Sequence, residues 1–206
     1  MGANAQTTVP TFSSGQVLTA AQQNASARTG IPVFASTTTR NAAFGGTNKT
    51  IAEGQLCFLE GVGLQMYTSA GVWITITPQT ASVETSQNTA STTYTDLTTA
   101  GPAVTLETGT VALVTISATV GEVTNDAGTI YASFAVSGAT TIAASDANGI
   151  LFQVLNVAGN PQASIARTFR ITGLTAGSNT FTMKYRISAG SSVSYAARNI
   201  TVTGCL

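Results

Sequence analysis

The chain has 206 residues, of which 43% are apolar and only 8% charged, with eight Lys plus Arg against eight Asp plus Glu and no histidine. An ordinary soluble domain carries about 25% charged residues, so this surface must be hydroxyl and amide rather than ionic, as 37 Thr, 31 Ala and 18 Ser also imply. Without histidine there is no Ser-His-Asp triad, no imidazole base and no His-ligated zinc; zero net charge argues against binding nucleic acid by phosphate neutralisation; and the apolar alternation argues against disorder.

Residues 1–30 read as an extended arm with one short helix. The opening MGANAQTTVPTFSSGQ has neither the basic nor the apolar segment of a secretory signal, so none is expected. Thr19-Ala-Ala-Gln22 is a capping-box pattern, which predicts a helix from Ala20 to about Ala27, stopped by Gly30 and Pro32. The preceding stretch has no periodicity, and such an arm orders only when docked.

Residues 31–78 predict a small β-meander. Gln55–Leu59, Leu64–Tyr67 and Val72–Ile76 are short apolar runs separated by Glu60–Gly63 and Thr68–Gly71. A sheet this small needs a partner, and Phe58, Tyr67 and Trp73 are expected to supply its buried surface. Residues 79–93, rich in Thr, Ser, Gln and Asn, read as a linker.

Residues 94–206 predict an all-β domain. Thr110–Val120 is a long strand with Val114, Ile116, Ala118 and Val120 on one face. Ile130–Val136 and Ile150–Val157 follow, and Thr180–Ile187 turns Phe181, Met183, Tyr185 and Ile187 inward while Thr182, Lys184 and Arg186 face out. With Val104–Glu107, Ile165–Ile171 and Ile200–Thr203 this gives about eight turn-bounded strands, the pattern of a two-sheet antiparallel sandwich resembling a jelly roll. Its expected core is Val114, Ile116, Phe134, Phe152, Phe169, Phe181, Met183 and Tyr185. The fold class is mainly β, with very low helix content, since no long 3.6-period stretch exists outside residues 19–27, and with no membrane-spanning run.

The motifs that could carry chemistry are few. Cys57 and Cys205 are far apart in sequence and read as isolated thiols, with a single bridge as the alternative. Asn125–Gly128 and Asp146–Gly149 could offer oxygens to calcium but lack the ligand count of a calcium loop, and read as turns. Gly61-Val-Gly63 lacks the third glycine and the helix of a phosphate loop. Glu53 and Glu60 read as solvated acids at strand ends rather than a glycosidase pair. No catalytic residue, metal or cofactor is expected. Asn24, Asn48 and Asn199 open glycosylation sequons that read as accidents of a Thr-rich chain.

The charges are segregated: all acids lie between Glu53 and Asp146, whereas Arg167, Arg170, Lys184, Arg186 and Arg198 follow. Chance is one reading; acidic and basic strands meeting across a subunit contact is the other. A Thr-rich surface of low charge loses little on desolvation, which predicts an obligate oligomer.

The stretch Pro10-Thr-Phe-Ser-Ser-Gly-Gln-Val-Leu-Thr-Ala-Ala-Gln-Gln-Asn24 resembles the opening of tailed-bacteriophage virion proteins. Pro32–Ala43, Glu53-Gly54 and Tyr67 to Trp73 resemble the small β element that follows it there, and Thr172–Phe181 resembles β-sandwich domains of phage tail and surface-fibre proteins. That resemblance implies a structural protein of the virion, assembled in the host cytoplasm, with a virion anchor at residues 10–27 (Pro10, Phe12, Val17, Leu18, Thr19, Asn24). It implies that Arg40, Phe58, Tyr67 and Trp73 hold the meander or a trimer contact together. The implied partners are two further copies in a homotrimer, other virion proteins (portal, tail, baseplate or major capsid protein), and a host surface glycan. A tail or baseplate fibre is the first expectation, a capsid decoration or head fibre the second, a bacterial surface adhesin the remote third. No coiled-coil or β-helix shaft is legible, which favours a short appendage.

Overall fold

The structure is a computed structural model describing residues 13–17, 19–20, 30–45, 51–122, 128–154, 159, 161–189 and 192–205. It divides into two compact units, Met1–Thr77 and Pro78–Leu206. Among the described residues, no helix is long and apolar enough to cross a membrane. Of the expected anchor, Val17 and Thr19 are exposed, while Pro10, Phe12, Leu18, Asn24 and the helix after Ala20 lie outside the described residues.

Among the described residues, the first unit forms a four-stranded sheet in the order β1-β2-β3-β4. Its strands are β1 (Val33–Phe34), β2 (Leu56–Leu59), β3 (Gly63–Tyr67) and β4 (Trp73–Thr75); β1 runs parallel to β2 and the others antiparallel. A helix not expected from the sequence, α1 (Thr37–Phe44), precedes β2. Three consecutive threonines oppose a helix, but Ser36 caps it. The Ser36 hydroxyl accepts the Thr39 N–H at 3.2 Å, and Thr39 Oγ1 accepts the Ser36 N–H at 3.1 Å. This is a capping box with Thr in place of the usual Glu or Gln. The helix buries Arg40 and Phe44, one turn apart on one face. Phe44 packs on Phe34 and Trp73, with ring centroids 5.6 and 5.1 Å away.

Phe58 does not join this core. The β2–β3 register pairs Cys57 with Gln65, both buried, so alternation turns Cys57 and Leu59 inward and leaves Phe58 41% exposed. At Gly63, with φ at 112°, a Cβ would lie 2.5 Å from Thr77 Oγ1. That close approach lets Thr77 Oγ1 accept the Leu64 N–H at 2.7 Å.

Among the described residues, the second unit holds nine strands in two antiparallel sheets around one apolar core, the layout of a β-sandwich. One sheet has the order β10-β9-β12-β7, with β7 (Ala103–Thr108), β9 (Gly128–Gly138), β10 (Ile150–Val154) and β12 (Gly177–Ile187). The other has the order β11-β8-β13-β5, with β5 (Gln79–Val83), β8 (Val111–Glu122), β11 (Gln162–Thr172) and β13 (Val193–Cys205); β6 (Gln87–Thr89) also pairs with β13. From β6 onward every connection except β9 to β10 passes between sheets.

Residues 79–93 are therefore not simply a linker. β5 and β6 are polar because they lie along β13 with alternate residues half-exposed, so backbone pairing rather than an apolar run defines them. Val114, Ile116, Phe134, Phe169, Phe181, Met183 and Tyr185 are all buried, whereas Phe152 is half-buried and packs against the core from its margin. Each large buried side chain contributes about 1.5–3 kcal/mol.

β13 is irregular in its middle. The register shifts between Ala196 and Asn199, and Ala197 has φ at 43°. This bulge turns the fully buried Arg198 inward. Its Nη1 donates to the Thr99 and Gly101 carbonyls at 3.2 Å each, and Nη2 to the Thr85 carbonyl at 3.4 Å and Gln87 Oε1 at 3.2 Å. One guanidinium thus fastens four points of the 85–101 segment to the sheet.

The threonines explain the low charge. On the outer face of the second sheet, Thr80, Thr201, Thr115 and Thr168 stand in one row across β5, β13, β8 and β11. The hydroxyls of Thr80 and Thr201 are 2.9 Å apart, and those of Thr115 and Thr168 2.8 Å apart. Thr119 and Ser164 pair likewise at 2.9 Å. Such cross-strand pairs satisfy each other without ionic groups.

Candidate binding groove

The two described ion pairs of the second unit lie on the opposite outer face, over β9 and β12. Lys184 and Arg186 are two positions apart on β12, so alternation places both outward on one face. Two segments rise beside them. Residues 92–94 are held to β12 by reciprocal backbone hydrogen bonds of 3.0 Å between Thr95 and Tyr185. Residues 143–146 lead into a short 3₁₀ turn, Asp146–Asn148, seated over β9. The buried Ser133 of β9 pins that turn: its hydroxyl lies 2.8 Å from the Ser145 carbonyl and 3.0 Å from that of Asn148, and accepts the Ser145 N–H at 3.3 Å.

Between the two segments runs an open groove of about 650 Å³. Ala135, Lys184 and Arg186 form its floor, Thr92, Thr93 and Tyr94 one wall, and Ala143, Ala144, Ser145 and Asp146 the other. The walls are joined. Tyr94 donates its hydroxyl to Asp146 Oδ1 at 2.9 Å, and Arg186 grips the same carboxylate bidentately, Nε to Oδ1 at 3.1 Å and Nη2 to Oδ2 at 2.5 Å. The guanidinium lies 3.8 Å from the Tyr131 ring centroid and 5.3 Å from that of Tyr94. Lys184 pairs with Asp96 at 2.6 Å. Two of the late cations, Lys184 and Arg186, thus meet acids of the middle of the chain within the same unit.

The electrostatics follow these contacts. The Arg186 hydrogen bonds hold the Asp146 carboxyl below its usual range, with Tyr94 adding to the effect. Asp146 in turn raises the pKa of Arg186. Burial first, then the hydrogen bond to Asp146, pushes the Tyr94 phenol upward. Asp146 is thus an ionised acceptor held by Arg186 and Tyr94, with one further bond-accepting side of Oδ2 open to solvent.

The expected meander residues have a different setting. In the first unit Arg40 stacks over Trp73 at 5.0 Å, and Tyr67 meets Trp73 at 5.3 Å. The Arg40 guanidinium donates to Gln65, which donates to Thr75 Oγ1 at 3.2 Å. Arg40, Tyr67 and Trp73 therefore meet through the Trp73 ring, and Phe58 stands outside this group. Cys57 and Cys205 are free thiols, and burial, opposed by the Arg40 charge, pushes Cys57 up to about 11. Glu53 is exposed and Glu60 half-buried, while residues 125–127 lie outside the described ones. Among the described residues, no cluster of three or more Cys, Asp or Glu could hold a metal ion.

Tyr94, Asp146, Lys184 and Arg186 were not expected as a site. The available signal was the pair of cations on one face of one strand, flanked in the fold by acids from two loops.

No protein-family model matches the chain, and no curated protein matches it. Among solved structures it is similar to the CBM22-1 xylan-binding domain from Paenibacillus barcinonensis Xyn10C, at 13% identity and a TM-score of 0.30, over 65% of this chain and 86% of that one. A likeness of that size carries no argument here.

Proposed function

We propose that this chain is a non-enzymatic structural protein of a tailed-phage virion, held to the particle by its N-terminal region and presenting residues 78–206 outward, as a tail or baseplate fibre. The observation that carries the reading is strand order. The orders β5-β13-β8-β11 and β7-β12-β9-β10, with the chain alternating between sheets, support reading the sandwich as a jelly roll, an architecture recurrent in viral capsid and lectin domains. The satisfied, nearly uncharged threonine rows of its second sheet suit a particle surface that meets other subunits with little desolvation. The virion-protein patterns at Pro10–Asn24 and Pro32–Ala43 agree with it. Within the groove, Asp146 is held by two donors, which favours binding over acid–base chemistry.

Immunogold electron microscopy of intact particles, with antibody against residues 78–206, tests this. Gold at the tail supports the fibre reading; gold over the head moves the protein to capsid decoration. A particle preparation without label overturns the virion reading.

A further inference from the structure

We propose that the groove between residues 92–94 and 143–146 is a binding site for a neutral saccharide. The inference deepens the reading above by giving the presented domain a ligand.

Its volume of about 650 Å³ lies within the roughly 300–1,000 Å³ of small-molecule sites. Its open form suits a unit within a chain, which must enter and leave at the ends. Ala135, Ala143 and Ala144 line it without bulk, leaving small apolar groups for the C–H face of a sugar ring to meet. Around them stand Thr92, Thr93 and Ser145, whose hydroxyls both donate and accept, as sugar hydroxyls do. The Asp146–Arg186 pair adds a planar array with acceptor and donor atoms side by side, the geometry that two neighbouring hydroxyls can bridge.

Charge decides the class of saccharide. Each cation lining the groove already has its carboxylate, Lys184 with Asp96 and Arg186 with Asp146. An acidic sugar or phosphate would find no uncompensated cation, and a basic ligand no uncompensated acid. The site is also built before any ligand arrives. Ser133 fixes one wall, the Thr95–Tyr185 backbone pair fixes the other, and Tyr94 ties them together. Little ordering entropy remains for the ligand to offset.

The test uses the full chain and saturation-transfer and ¹⁵N NMR with short glucose, mannose and galactose oligosaccharides, and oligogalacturonate as the charged comparator. We expect at least one neutral series to bind, with shifts confined to residues 92–94, 143–146 and 184–186. Ala143→Trp and Thr93→Trp alter exposed positions, so each should leave the melting temperature unchanged while weakening binding by about tenfold or more. Binding that survives both variants, binding of oligogalacturonate alone, or no binding of any neutral series overturns the assignment. Saccharide binding by a protein that labels no particle would sink the virion reading and leave the groove; label without binding would do the reverse.

Discussion

Tyr195 of β13 reaches through the core of the sandwich to the other sheet. Its hydroxyl lies 2.7 Å from the Arg186 carbonyl and 2.8 Å from that of Tyr131. The two residues that stack on the outer face thus have their backbones fixed from within by one buried phenol, whose ring packs 4.7 Å from that of Tyr185. Tyr195→Phe keeps the ring and removes the bond. It should destabilise the domain by about 0.5–1.5 kcal/mol in urea unfolding. An unchanged midpoint would show that the bond contributes nothing.

Asp146 gives the groove a defined pH response. Its carboxyl is depressed in the folded state, so its contribution is complete above the ordinary carboxylate pKa of about 3.9 and is lost as pH falls through the lower folded value. The carboxylate is largely exposed, which limits the contribution to about 1 kcal/mol or less. The stability difference between wild type and Asp146→Asn should be constant from neutral pH to about 5 and shrink below about 4. Thermal melts across that range would refute this if the difference grew with acid.

Arg198 is the side chain whose loss should be felt most. Arg198→Met removes all four bonds; the Gly101 carbonyl keeps the Tyr185 hydroxyl and Gln87 Oε1 keeps the Thr99 N–H, whereas the Thr85 and Thr99 carbonyls lose their guanidinium donor. Hydrogen bonds to a charged group contribute about 1.5–3 kcal/mol each, so a total loss of at least about 3 kcal/mol is expected. Arg198→Lys should recover only part of it, because an ammonium cannot fork to both sides. Equal stability of the Lys variant and wild type, by calorimetry, would exclude the fork.

Trp73 is the only tryptophan in the chain, so its emission reports on the first unit alone. Phe44→Ala should red-shift that emission and lower the stability of the unit by about 3–5 kcal/mol. Phe58→Ser, at an exposed position, should change it by no more than about 0.5 kcal/mol. The reverse ranking would mean that the sheet faces the other way.

The strands of the sandwich were legible where apolar and hydroxyl residues alternate, as in β8 and β12. There period two is the direct imprint of one buried face. β5 and β6 were not, because Gln79–Val83 and Gln87–Thr89 are defined by pairing to a strand more than a hundred residues later. α1 was hidden by Thr37–Thr39, whose poor propensity is overridden by the Ser36 cap and by burial of Phe44. Phe58 misled because its size suggested burial, whereas the register with Gln65 decides the face. In the groove, the outward direction of Lys184 and Arg186 was readable. Their partners were not: Tyr94, Asp96 and Asp146 come from loops, and loop positions carry no period.

The place of β13 in the chain has a consequence for synthesis. It lies between β8 and β5 in its sheet, yet it follows every other described strand of the sandwich in the chain. Until residues 193–205 emerge, β8 and β5 each expose a row of unpaired backbone groups towards the gap β13 will fill, and the 85–101 segment lacks the guanidinium that fastens it. A nascent chain in that interval presents open edges to its neighbours. The rarity of charge that suits the finished surface offers such edges little protection against pairing with another copy.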